Sequence, residues 1–209
     1  KEGKARWGDK SLRCEQYAGG IFKEFPEARV IQIIRDPRER YASVLKRYKV
    51  NRGQAGANIG RWLYSAFLGR RNARRYPDRY RVIRFESLVT DPESKLREIC
   101  RFLEEPYTEE MLTMQGAPTY LERGGNSSFE DFQPGVISTS PVKRYREVLS
   151  AFDITFMQVI GGRMMSAFKY EPDPVRLTPR EWLQFIFIHF PLDLLRMIGW
   201  YALWLYENT

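Results

Sequence analysis

The sequence predicts an α/β fold on a central parallel sheet covered on both faces, followed by a helical C-terminal tail. Three observations carry that expectation. Two short runs rich in β-branched and aromatic residues, 29–34 and 80–85, each lead directly into a helix start. Helical apolar stripes fill the intervals between and after them, which is the pattern of parallel strands joined by helices. The 209 residues, 43% hydrophobic and 14% aromatic, suffice for one domain with a sizeable core and exclude disorder as the overall description.

Taken in order, Arg29-Val30-Ile31-Gln32-Ile33-Ile34 reads as a buried strand that runs straight into Arg35-Asp36-Pro37-Arg38-Glu39. Asp36 suits a helix N-cap, Pro37 the first helical position, and Glu39 the far side of an Asp-x-x-Glu capping box. Tyr41, Val44, Leu45 and Tyr48 supply that helix with an apolar stripe. A second helix is expected over 56–75, with Ile59, Trp62, Leu63, Ala66 and Phe67 facing the core, ended by Tyr76-Pro77-Asp78. The strand at 80–85 follows. Asp91-Pro92-Glu93 then opens a helix whose stripe is Leu96, Ile99, Cys100 and Leu103, which makes Cys100 a core residue. Residues 116–141 read as a long loop of the kind that binds ligands, and 169–179, with three prolines, as a linker.

Charge narrows the function. The net charge of +8 hides a block at residues 35–84 with 15 Lys+Arg against 3 Asp+Glu, while the remaining 159 residues carry −4. Such a block implies an anionic partner: nucleic acid, a phosphorylated small molecule, an acidic polymer or an anionic membrane. The block lacks interleaved exposed aromatics, so no nucleic acid is expected. One histidine, His189, argues against a Ser-His-Asp triad, and neither Cys14 nor Cys100 sits in a metal-ligand spacing, so no metal is implied. Cysteine usage points to the cytoplasm and leaves the Golgi lumen open.

Arg35 ends a strand, where its guanidinium can project over the sheet edge as a bidentate fork for a phosphate. Ser43 lies seven residues after Asp36, close to two helical turns, and so shares a face with Asp36, Arg40 and Arg47. The two could clamp one phosphate near a helix start, where the backbone dipole favours anions. An ordinary ion-pair partner and an ordinary polar-face residue remain the other reading.

Residues 30–43 (Val-Ile-Gln-Ile-Ile-Arg-Asp-Pro-Arg-Glu-Arg-Tyr-Ala-Ser) resemble the strand–loop–helix with which sulfotransferases bind the 3′-phosphate of 3′-phosphoadenosine 5′-phosphosulfate (PAPS). Three further segments match in order. Trp7-Gly8-Asp9-Lys10-Ser11 resembles the family's upstream Trp-Gly-acidic-Lys-Thr/Ser segment, with Leu12 where a proline is common. Val82-Ile83-Arg84-Phe85-Glu86-Ser87-Leu88, with Asp91-Pro92, is similar to its second strand and following helix. Residues 137–146 resemble the late loop that closes over the nucleotide. The resemblance covers roughly residues 5–171 and implies a three-layer sandwich of P-loop NTPase type.

It also implies that Arg35 and Ser43 hold the 3′-phosphate, and that Lys143 and Arg144 approach the phosphates from the closing loop, with Tyr145 in place of a frequent Trp. Lys10 would stabilise negative charge on the leaving phosphate. The general base stays unassigned. The partners implied are PAPS as co-substrate and a hydroxyl or amine acceptor. The family's first strand and Gly/Ser/Thr-rich P-loop have no counterpart in this sequence. Gly124-Gly125-Asn126-Ser127-Ser128 has the composition but no preceding strand. Residues 1–171 are therefore expected to be a sulfotransferase domain lacking its N-terminal P-loop portion, inactive alone, and 172–209 a linker and tail. A non-catalytic module binding anionic lipid or polymer through the basic block is the alternative.

In the tail, 19 of the 25 residues 182–206 are apolar, which is membrane-seeking composition. Pro191 is expected to interrupt any continuous helix, and Asp193 and Arg196 fall near its centre, so 191–206 would reach about 24 Å against a hydrocarbon core of roughly 30 Å. An interfacial helix or helix pair contacting a membrane peripherally through residues 180–206 is the first reading. Packing on the domain or a second subunit comes next, and a true span last.

Overall fold

The computed structural model describes residues 6–48, 54–113 and 144–208. After a 3-10 turn at Cys14–Gln16 come α1 (Ala18–Glu24), β1 (Val30–Ile34), α2 (Pro37–Tyr48), α3 (Ala55–Arg75), β2 (Tyr80–Arg84), α4 (Phe85–Thr90), α5 (Pro92–Leu103) and α6 (Glu110–Thr113). Then follow α7 (Tyr145–Val148), α8 (Ala151–Ala167), α9 (Pro179–Gln184), a π turn (Phe185–His189) and α10 (Phe190–Asn208). Lys143, the 116–141 loop and the Gly124–Ser128 stretch lie outside the described residues, as do the side chains of Arg47 and Tyr48.

The two strands form a parallel pair in the register Val30↔Tyr80 to Ile34↔Arg84. Among the described residues the sheet has these two strands. One face lies under α3. There Gln32 is buried, donates to the Ser65 carbonyl at 3.2 Å and hydroxyl at 3.0 Å, and accepts from the Tyr80 hydroxyl at 2.9 Å. A polar residue in a strand core is tolerated because each of these groups is paired. The opposite face is covered only in part. Arg29 and Arg81 reach the Phe102 ring of α5, and Ile83 is buried, but Ile33 is 55% exposed. The parallel α/β core is thus present, and full coverage of both faces is not seen among the described residues.

Three local expectations need correcting. Asp36 caps α2 by accepting the Arg38 N–H at 2.9 Å, but Glu39 does not close the box. Glu86, 50 residues on, accepts the Asp36 N–H at 2.8 Å, which leaves Glu39 to face Arg35 and Tyr145. Phe85 starts α4 instead of ending β2. Phe67 is exposed: at 100° per residue it lies on the stripe of Gly60, the side of α3 that meets the tail, and not on the Ile59–Trp62–Ala66 side.

The main core gathers Tyr41, Ile59, Trp62, Phe156, Met157, Met165 and Tyr170, with Phe185 from the tail. Ser150 opens α8 with a reciprocal capping box to Asp153, and Thr178 opens α9 in the same way with Glu181. The proline-rich stretch between them is docked on the domain. Tyr170 is buried, Asp173 takes hydrogen bonds from Tyr145 and Arg146, and Val175 and Leu177 pack against the core.

Pro191 does not break the tail. Residues Pro179–Glu207 form one helix, because the π turn just before the proline widens the hydrogen-bond ladder. The Phe190 N–H bonds to the Phe185 carbonyl, five residues back, and this shift accommodates a ring that would strain a regular α turn. The helix is about 43 Å long at 1.5 Å per residue.

Candidate functional site

The parallel register sets the carboxyl ends of β1 and β2 side by side, so the residues that follow them, Arg35-Asp36 and Phe85-Glu86, share one end of the sheet with Arg84. Ligands in open α/β sheets bind at this end. Arg35 leaves β1 with its guanidinium stacked on the Phe85 ring, 4.6 Å from the centroid, and 3.5 Å from Glu39. Its side chain is 22% exposed, buried enough to be positioned and open enough to meet a ligand. Burial lowers its pKa, opposed by Glu39, Glu86 and Asp36. The Trp62 indole N–H holds the Arg35 carbonyl at 2.8 Å, fixing the backbone from which the side chain departs.

Around this arginine lies a buried ionic lattice. Arg38 makes a bidentate pair with Asp36, at 3.0 and 2.6 Å, and also donates to Gln158 at 2.7 Å and to the Glu171 carbonyl at 2.9 Å. Its guanidinium lies 4.6 Å from the Tyr145 ring centroid. Glu86 accepts from the Asp36 N–H and, at 3.0 Å, from the Tyr170 hydroxyl, while Arg84 stacks over Tyr170 at 4.7 Å. Burial, with Glu86 adding, pushes the Tyr170 phenol up.

Glu39 is the outlier. It is 2% exposed, and burial, against the pull of Arg35 and the Tyr145 N–H, lifts its carboxyl to about 7. A group with that pKa changes charge near neutrality while touching the arginine that faces the ligand end.

Arg35 stands at the strand end, and Ser43 is half-buried two turns into α2, on the helix that begins beside it. Arg144 and Tyr145 lie at the start of α7, which packs against α2. The Tyr145 N–H reaches Glu39 at 3.4 Å and its hydroxyl donates to Asp173 at 2.9 Å; burial raises the phenol to about 12, with Asp173 adding and Arg38 opposing. The structure therefore brings the α7 end of the 137–146 segment onto the Arg35 helix. Lys10 is exposed in the N-terminal stretch, and no hydrogen bond or ion pair joins it to this cluster among the described residues. His189 is stacked on Phe152, 4.0 Å between ring centroids, in the tail and not at the strand ends. Among the described residues no three His, Cys, Asp or Glu side chains gather as a metal site.

Glu39, Glu86, Tyr170 and Asp173 are the site residues that sequence reasoning missed. Glu39 was assigned to a cap, and Glu86 carried no role beyond its place in a matching segment. Glu86 reaches the Asp36 N–H and the Tyr170 hydroxyl across 50 and 84 residues, and Glu39 the Tyr145 N–H across 106, and no local pattern encodes such pairing.

A family model described as the Sulfotransferase family matches residues 1–109, which include β1, Arg35, Ser43, β2 and Glu86. The chain belongs to the sulfotransferase family. No curated protein and no solved structure matches it. For a sulfotransferase, a nucleotide donor and an acceptor are the expected reactants, and a cation at the strand ends beside a helix start is suited to an anionic donor. Arg35 and Ser43 both fall within the matched residues, whereas Arg144 and Tyr145 lie beyond them.

Proposed function

We propose that this sulfotransferase moves a sulfuryl group from PAPS to a hydroxyl or amine acceptor. The observation that carries the reading is Arg35: a partly exposed guanidinium fixed at the carboxyl end of a parallel strand, at the head of the helix that bears Ser43. Arg35 would grip the 3′-phosphate through two donors and Ser43 would add a hydroxyl, with the first turn of α2 favouring the anion. Each charge-assisted contact of this kind contributes about 1.5–3 kcal/mol. Lys143 and Arg144 would approach the phosphates from the loop that ends at α7, with Tyr145 beside them.

In the transfer, the acceptor oxygen or nitrogen attacks sulfur in line and gives up its proton to a base or to solvent. The bond from sulfur to the bridging phosphate oxygen breaks, and adenosine 3′,5′-bisphosphate departs with the negative charge. Lys10 would stabilise that charge electrostatically.

The test is thermal protection of the protein by adenosine 3′,5′-bisphosphate. Protection is expected, weaker with AMP, and largely lost in Arg35→Ala. Equal protection by AMP, or none by either nucleotide, would refute the assignment. Circular dichroism of Arg35→Ala separates lost binding from lost fold.

A further inference from the structure

We infer that the tail helix is an interfacial anchor that lies flat on an anionic membrane surface, with the arginines of α3 beside it meeting the lipid phosphates. This goes beyond the transfer reaction and does not depend on it.

Pro179–Glu207 is long and apolar enough to cross a bilayer, its most apolar 18-residue stretch having mean hydropathy 1.3. Only 6% of its most apolar stretch is buried, so it is not a core helix. One side of it is committed to α3. Asp193 accepts the Gly56 N–H at 3.2 Å, and the Tyr64 ring meets Trp204 at a tilt, 4.6 Å between centroids. Between them a methyl at Gly60 would sit 2.9 Å from Met197 and 3.1 Å from Trp200. The contacts climb both helices in step, so α10 runs alongside α3 for about three turns. Because α3 carries Arg61, Arg70, Arg71, Arg74 and Arg75, it cannot enter hydrocarbon with the tail, and a helix so docked lies along a bilayer and does not cross it.

The opposite side has no partner among the described residues. Phe187, Leu192, Leu195, Ile198 and Leu203 are all exposed, Leu195 to 64% and Ile198 to 54%. Within residues 182–206 the one exposed charged side chain is Arg196, and it is bonded to buried Asp193 at 3.3 Å. An apolar stripe of this length is well beyond the scattered exposed residues of a monomer surface.

Charge selects lipid as the occupant. The α3 guanidinium of Arg61 adjoins the tail, 5.9 Å from the Trp200 ring, and Arg71 and Arg74 continue the Gly60 stripe toward the end of α3. None of Arg61, Arg71, Arg74 and Arg75 forms an ion pair among the described residues. An uncharged stripe with tryptophans and tyrosines, bordered by arginines that make no ion pair among the described residues, matches the layering of an interface, with acyl chains below and anionic headgroups at the rim. A second copy of the same surface would set arginine rims against each other.

The test is flotation of the full chain with vesicles of phosphatidylcholine alone and with added phosphatidylserine. Binding is expected to be much stronger to the anionic vesicles and to fall by about fivefold for each arginine removed in Arg71→Ala/Arg74→Ala. Leu195→Glu/Ile198→Glu is expected to abolish it with unchanged circular dichroism, since both side chains are exposed. In the wild type, tryptophan fluorescence should be quenched by lipids brominated near the headgroup more than by those brominated near the chain ends. This readout needs no variant. A wild type that stays with the soluble fraction on both vesicles overturns the inference. So does resistance to alkaline extraction, which would mark a span, or a dimer in solution that Leu195→Glu/Ile198→Glu dissociates.

Discussion

Replacing Glu39 by glutamine tests the electrostatics of the strand-end cluster directly. Burial raises this carboxyl from 4.5 to about 7, so ionisation is disfavoured in the folded state relative to the unfolded one. Below pH 4.5 both states hold the proton and the group is neutral in its effect. As pH rises the unfolded chain releases its proton first, so stability is lost between about pH 4.5 and 7 and is level above that window. The interval of roughly 2.5 units corresponds to about 3 kcal/mol at about 1.4 kcal/mol per unit. Glutamine keeps the shape and cannot ionise, so Glu39→Gln should lack this loss. Urea unfolding of both proteins at half-unit steps from pH 4.5 to 8 reads it out. The variant is expected to gain on the wild type by a few kcal/mol across the window. Curves that stay parallel throughout would refute the reasoning.

Further outcomes follow from the same contacts. If adenosine 3′,5′-bisphosphate binds at Arg35, its phosphate adds negative charge beside Glu39, and calorimetry in buffers of different ionisation enthalpy should show uptake of about half a proton at pH 7, absent in Glu39→Gln. Arg38→Ala leaves Asp36 buried and unpaired and should destabilise by roughly 3–5 kcal/mol in denaturant titration. Tyr170→Phe removes the hydroxyl that Glu86 accepts at 3.0 Å, with an expected cost of about 1–3 kcal/mol. Gly56→Ala places a methyl 2.6 Å from the Asp193 carbonyl carbon. This backbone collision should outweigh the roughly 1 kcal/mol gained in helix propensity and free the tail to limited proteolysis.

What could be read from the sequence was what is encoded locally. The run 30–34 and the Asp36-Pro37 start are contiguous signals, and β1 and α2 fall where those signals put them. The same holds for Asp91-Pro92 and α5. Glu39 shows the limit: it sits at the right spacing for a capping box, yet a carboxylate from the next strand unit takes the Asp36 N–H and Glu39 turns to Arg35. Which acid reaches a helix start first is a property of the packed sheet. Phe67 failed for a related reason, because α3 is approached on several sides and its apolar periodicity does not say which side faces the core. Gly56 and Gly60 carry no signal of their own in the sequence, although their missing side chains let α10 lie close.

The π turn at Phe185–His189 amounts to one residue more than a regular helix of the same span would hold. That surplus is absorbed in the wider turn, so α9 and α10 keep the relative azimuth of one regular helix. Deleting one residue from the turn would return it to regular α geometry without turning α10 about its axis, leaving Asp193 at Gly56, but would set the Pro191 ring against the carbonyl four residues back. The surplus residue therefore serves the proline and not the docking on α3, and a one-residue deletion within α10 itself, which would turn everything after it by about 100°, should be far more damaging to that contact.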